Sequence, residues 1–173
     1  MEMSLNNRKY NEAMTYYDDI AEGYEELHKE EQEKKVRLLK KYIVVKPKEK
    51  ILDVGCGTGL TTLPWDGQRY GVDPSKKLIE RAREKESVIY KVAPAEDIPY
   101  PDHFFDWVIS ITAIQNFEDI EKGLLEMKRV GKERFVVTTL KQSPKIKEIE
   151  RMVKKHFQVK ETIEEEKDRI FLI

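Results

Sequence analysis

A chain of 173 residues has room for one full hydrophobic core but not for a complete second domain. Its 32 Lys and Arg against 33 Asp and Glu leave a net charge of −1, which argues against a dedicated nucleic-acid binder, since phosphate neutralisation supplies most of such a protein's affinity. Cys56 is the only cysteine, which excludes an intrachain disulfide. No apolar stretch approaches the ~18 residues of a membrane span and residues 1–10 are polar, so a cytoplasmic protein with no membrane contact is expected.

Residues 11–41 carry helical periodicity. Met14, Tyr17, Ile20 and Ala21 share one stretch, and Leu27, Val36, Leu39 and Ile43 a second, with Gly23 predicted as the break between two helices. Lysines 34, 35, 40 and 41 are interrupted by glutamates and read as a solvated face rather than a phosphate site. Short Val/Ile-rich runs then alternate with helical segments. Strands are predicted at 50–54, 70–72, 87–92, 107–111 and 134–139, and helices at 75–85, 118–130 and 144–156. Ser75 is the expected N-cap of the first of these helices, and Ser143 followed by Pro144 that of the last. Such alternation predicts a parallel α/β sheet with helices on both faces. The last two runs, 157–162 and 169–173, have only an acidic turn between them and should pair as an antiparallel hairpin at one sheet edge. His28, His103 and His156 are widely separated and show no ligand spacing, so no metal site is expected.

The chemistry concentrates around Asp53-Val54-Gly55-Cys56-Gly57-Thr58-Gly59, at the end of the first predicted strand. A glycine-rich turn there lets a nucleoside ligand lie against bare backbone. Asp73 ends the second strand, where an acid is placed to take both hydroxyls of a ribose. A dinucleotide fingerprint needs G-x-G-x-x-G, whereas the third glycine here comes one residue early and Leu60 occupies the required position. Pro64 and Gly67 also leave little room for a pyrophosphate-binding helix before the second strand. Cys56 is either a nucleophile with a depressed pKa or, as the lack of a neighbouring His or Cys favours, a small packing residue.

These segments together resemble the class I, Rossmann-like S-adenosylmethionine-dependent methyltransferases. Residues 95–102, Ala-Glu-Asp-Ile-Pro-Tyr-Pro-Asp, followed by Phe104-Phe105-Asp106, are similar to the branch that includes quinone-biosynthesis enzymes. The resemblance implies a doubly wound, seven-stranded sheet of order 3-2-1-4-5-7-6 with strand seven antiparallel. It also implies S-adenosyl-L-methionine as cofactor, with the glycine segment around its methionine part, Asp73 at its ribose, and Ala95 and Glu96 beside its adenine. The implied binding set is Tyr17, Asp53, Gly55, Cys56, Gly57, Asp73, Pro74, Ala95, Glu96, Ser110, Ile111 and Gln115. Pro94 departs from the family, which often has an aspartate there. Residues 1–45 are expected to form a helical cap on a core of 46–173 within one domain, with 10–28 closing over the cofactor. No catalytic residue is singled out: Asn116 either orients an acceptor or caps the helix after it. A small-molecule methyl acceptor is favoured over RNA or protein, and a non-catalytic cofactor-binding protein is the rival reading.

Overall fold

The computed structural model describes residues 21–85 and 87–173, with side chains from His28 onward. Seven strands form one sheet: β1 (Lys50–Val54), β2 (Gln68–Asp73), β3 (Val88–Val92), β4 (Phe105–Ile111), β5 (Gly131–Leu140), β6 (Glu161–Glu164) and β7 (Asp168–Leu172). Their order is β3-β2-β1-β4-β5-β7-β6, and β7 alone runs antiparallel to its neighbours. Among the described residues, four α-helices complete the frame: α1 (Ala21–Leu39), α2 (Lys76–Arg83), α3 (Ile120–Val130) and α4 (Ile146–His156).

The central strands are apolar on both sides because both sides are covered. Alternate residues sort into two clusters, as the two-residue period of a strand requires. Leu52, Val54, Val108, Val137 and Phe171 meet Leu124 and Met127 of α3 and Ile149 and Val153 of α4. Ile51, Trp107, Ile109, Val136 and Ile170 meet Val36 and Leu39 of α1, together with Ile43, Val45 and Trp65. Ile79 and Ala82 of α2 pack on Tyr90 and Cys56.

Several local features differ from the sequence reading. Gly23 lies inside α1 rather than between two helices; a lone glycine lowers helix stability by only about 1 kcal/mol. The earlier predicted helix falls on residues 11–20, outside the described part. Ser75 caps α2 as expected, its Oγ accepting from Leu78 N at 3.2 Å. Ser143 does not cap α4. The Ser143 hydroxyl accepts from Lys145 N (3.2 Å) and its carbonyl from Ile146 N (3.0 Å) in a separate turn, and the helix begins at Ile146. The third helix starts late, at Ile120, because Asp119 caps it through Lys122 N (2.9 Å). The hairpin also starts late: Phe157 closes α4 and packs on Phe135 at 5.0 Å, which leaves pairing to begin at Glu161.

Candidate functional site

The glycine segment leaves β1 and is tied to the neighbouring strand, where Gly55 N and Cys56 N both donate to Val72 O (2.8 and 3.1 Å). Gly55, Gly57 and Gly59 have φ of 78°, 53° and 84°, the left-handed region that a side chain adopts only with strain. A Cβ on Gly55 would overlap the Cβ of Ala113, so the turn approaches the end of β4 as closely as backbone permits. No helix forms in 55–67; Trp65 plugs that stretch, donating from Nε1 to Thr61 O at 2.8 Å.

Two acids support the turn. Asp53 is fully buried, and its Oδ2 accepts from the hydroxyls of Thr61 (2.6 Å) and Thr62 (2.8 Å), while Oδ1 has no partner. Burial pushes its pKa up to about 6, against the two hydroxyls, which pull it down, and with a smaller push from the charge of Asp73. An acid with a raised folded-state pKa binds its proton more tightly folded than unfolded, so its ionisation lowers stability as pH rises from the unfolded value towards 6. Asp53→Asn lacks that penalty. It is expected to gain on the wild type by roughly 3 kcal/mol between pH 4 and 7.5 in paired urea melts. Parallel stability curves would mean a carboxylate that is ionised throughout.

Asp73, 8% exposed, ends β2 with both oxygens engaged: Oδ2 accepts from Gly57 N (3.0 Å) and Oδ1 from Ser75 N (2.9 Å). The acid therefore shapes the glycine turn at the cavity wall, a role the sequence reading did not give it.

Beside these groups, at the carboxyl ends of the strands, lies a cavity of about 830 Å³, open mouth included. It sits where α/β sheets bind ligands, at the point where strand order reverses between β1 and β4. Its wall comprises Gln32 of α1; Gly55, Cys56, Thr58, Leu60 and Thr61; Asp73, Pro74 and Leu78; Ala95 and Glu96; and Ile111, Thr112, Ala113, Asn116 and Phe117. Of the residues expected from sequence, Gly55, Cys56, Asp73, Pro74, Ala95, Glu96 and Ile111 meet there. Asp53 and Ser110 lie behind the wall, both fully buried, and Gly57 is turned to Asp73. Gln115 is drawn off the wall: its Nε2 donates to Thr112 O (2.8 Å) and its Oε1 accepts from Thr139 (3.4 Å). Tyr17 lies outside the described residues.

The structure closes two open choices. Burial raises the Cys56 thiol well above its ordinary pKa, so it is a packing residue and not a nucleophile. The helix cap is Asp119, which leaves Asn116 to the cavity wall, in a short 3-10 turn (Ile114–Asn116). Glu96 Oε1 accepts from Asp119 N (3.1 Å), holding the loop after β3 against the start of α3.

Among the wall residues outside the expected set are Gln32 and Thr112. The signal for Gln32 was present: it precedes Val36 and Leu39 by four and seven positions, on the face of α1 that turns inward. Thr112 had none, because it is a β-branched residue at φ 53°. Neighbours hold it there. Its N donates to Thr138 Oγ1 (2.8 Å), and its hydroxyl accepts from Lys35 Nζ (2.9 Å) and donates to Asp168 Oδ1 (3.3 Å). Lys35 and Asp168 also pair directly at 3.2 Å, with side chains only 12% and 9% exposed.

Among the described residues no group of His, Cys, Asp or Glu could hold a metal ion, and no helix is long and apolar enough to cross a membrane. The methyltransferase domain family matches residues 52–138. An uncharacterized methyltransferase of Bacillus subtilis, YcgJ, is 35% identical over 99 residues, 51% of this chain and 39% of that protein. Demethylmenaquinone methyltransferase of Symbiobacterium thermophilum is 33% identical over 133 residues, covering 67% and 53%. The chain spans half or less of the length of the curated relatives MJ1252, C1B3.06c and YcgJ. The crystal structure of YcgJ superposes with a TM-score of 0.57 at 30% identity, over 61% of this chain and 50% of that one. A methyltransferase from Aquifex aeolicus shares the fold at a TM-score of 0.68 and 20% identity, over 79% and 86%. Since the matched span runs from β1 through β5 and carries the whole cavity wall apart from Gln32, the chain belongs to the class I, Rossmann-like S-adenosylmethionine-dependent methyltransferases.

Proposed function

We propose that this chain binds S-adenosyl-L-methionine in the cavity and transfers its methyl group to a small-molecule acceptor. The observation that carries the reading is the pairing of Gly57 N with Asp73 at the cavity wall, which sets a bare glycine turn and a ribose-binding acid side by side. The residues fit the cofactor: three left-handed glycines hold a tight turn of bare backbone, Gly55 and Cys56 of it stand on the cavity wall, and the Asp73 carboxylate lies beside it. On this reading Asp73 accepts from the ribose hydroxyls. Ala95 and Glu96 flank the adenine, with Pro94 leaving that contact to backbone groups. Asp53, Gly57 and Ser110 support the wall from behind, Gly55 and Cys56 line the methionine part, and Ile111 flanks the point of transfer.

When bound, the cofactor supplies a methyl group on a sulfonium, already activated for in-line displacement. The chain's task is then alignment and exclusion of water. None of the described titratable groups on the wall is free to act as a base. Asp73 is held by two amides, Glu96 accepts from Asp119, and Cys56 stays protonated. On this reading the acceptor brings its own nucleophilic lone pair to the β4 end, where Asn116 and Phe117 form the wall. A relative that acts on demethylmenaquinone supports a small acceptor, and the balanced charge speaks against RNA. A lone, buried cysteine supports a reducing, cytoplasmic setting.

Calorimetry is expected to show binding of S-adenosylmethionine and S-adenosylhomocysteine and none of NAD, because no helix in 55–67 offers a pyrophosphate its N-terminus. NAD bound with S-adenosylmethionine ignored would sink the reading. Labelled cofactor mixed with fractionated cell extract should label small molecules. Label in RNA or protein would change the acceptor class, and cofactor binding with no label anywhere would make the chain a binding protein. We further propose that residues 1–45 cover the 46–173 core within one domain, with 10–28 as the closing part. A chain lacking 1–28 keeps Val36 and Leu39, so it is expected to fold and to bind the cofactor more weakly in the same titration. Failure to fold would make that segment part of the core.

A further inference from the structure

α1 meets the sheet through a fixed point. Lys35 Nζ donates to Thr112 Oγ1 at 2.9 Å and pairs with Asp168 at 3.2 Å, which sets this helix beside the end of β4. Gln32 lies one turn earlier on the same side and lines the cavity. Its Oε1 is buried and has no hydrogen-bond partner. A buried acceptor left unpaired is destabilising, so in the working protein a donor is expected to meet it.

The identity of that donor follows from what else lines the wall. The two carboxylates there, Asp73 and Glu96, end β2 and follow β3, on the nucleoside side. At the β4 end the Thr112 hydroxyl is already taken by Lys35. Two buried wall oxygens lack a partner, Thr58 Oγ1 in the glycine segment and Gln32 Oε1 one turn from the Lys35–Thr112 contact at the β4 end; on the cofactor reading the α-ammonium group would be the cationic donor on offer to Gln32. We propose that Gln32 is a positioning residue for the amino-acid end of the cofactor, accepting a hydrogen bond from the ammonium through Oε1. The inference rests on the cofactor reading above. It makes α1, and not the strand ends alone, responsible for that end of the ligand.

The test compares two ligands, S-adenosylhomocysteine and 5′-methylthioadenosine, which keeps the nucleoside and lacks the amino-acid group. Gln32→Leu is expected to weaken S-adenosylhomocysteine by about tenfold to a hundredfold and to leave 5′-methylthioadenosine unchanged. Gln32→Glu, which keeps the acceptor and adds charge, should hold the preference for S-adenosylhomocysteine at or above that of the wild type. Should the leucine protein fail to fold, the glutamate arm decides alone. Equal losses for both ligands, no loss for either, or a reduced preference in the glutamate protein would overturn the assignment; an intact leucine protein would hand Oε1 to the methyl acceptor instead. If the wild type binds neither ligand, the cofactor reading itself fails and takes this one with it.

Discussion

Gly55→Val is expected to abolish cofactor binding and to lower the melting temperature by roughly 5–15 °C. A side chain at φ 78° adds about 1–2 kcal/mol of backbone strain, and forcing a Cβ onto Ala113 adds about 1–3 kcal/mol more. For a chain of this size each kcal/mol moves the midpoint by about 2–4 °C. Scanning fluorimetry and calorimetry with S-adenosylhomocysteine read the two effects separately. The overlap can be tested by itself: Gly55→Ala should be partly rescued by Ala113→Gly, which removes the atom it strikes and leaves the backbone strain. A melting temperature untouched by valine would mean that the turn relaxes away from β4.

Asp73→Ala should weaken S-adenosylhomocysteine by about tenfold to a hundredfold, the worth of hydrogen bonds to a charged group. It should also lower stability by about 1–3 kcal/mol in urea melts, because Gly57 N and Ser75 N lose their buried acceptor. The two losses separate the acid's roles. Weakened binding with full stability would leave only the ribose role, whereas lost stability with full affinity would mean that the ribose is held elsewhere.

Where local chemistry decides structure, the sequence was readable. Lys50–Val54 is a strand in a doubly covered sheet, and its apolar run says so. Pro64 and Gly67 kept a helix out of 55–67, and Ser75 capped the helix it precedes. The strand order came from resemblance to a family, since no period in the chain encodes it. Reading failed where a distant partner decides. Gly23 looked like a break because nothing local shows a helix continuing through it. Ser143 looked like a cap, but its hydroxyl closes a turn on Lys145 N before the helix begins. Gln115 looked like a wall residue until Thr112 O and Thr139 drew it away. Seven of the expected binding residues line the cavity because motif spacing places them at strand ends. Gln32 lies on a helix far from those motifs, and only packing brings it to the cavity.

The bond cluster at Thr112 also sets an order of events. Lys35, Thr112, Thr138 and Asp168 come from α1, the end of β4, β5 and the start of β7, so the cluster joins early and late parts of the chain. Contacts between such distant positions give up loop entropy before they return any stability, and they form late in folding. A nascent chain that has made β1 to β4 already holds the glycine turn and Asp73. It does not yet hold Thr112 in its left-handed conformation with all its partners. The Asp73 side of the cavity is therefore shaped while the β4 end is still unfinished, and the complete wall arrives with Asp168, when the final hairpin pairs onto β5.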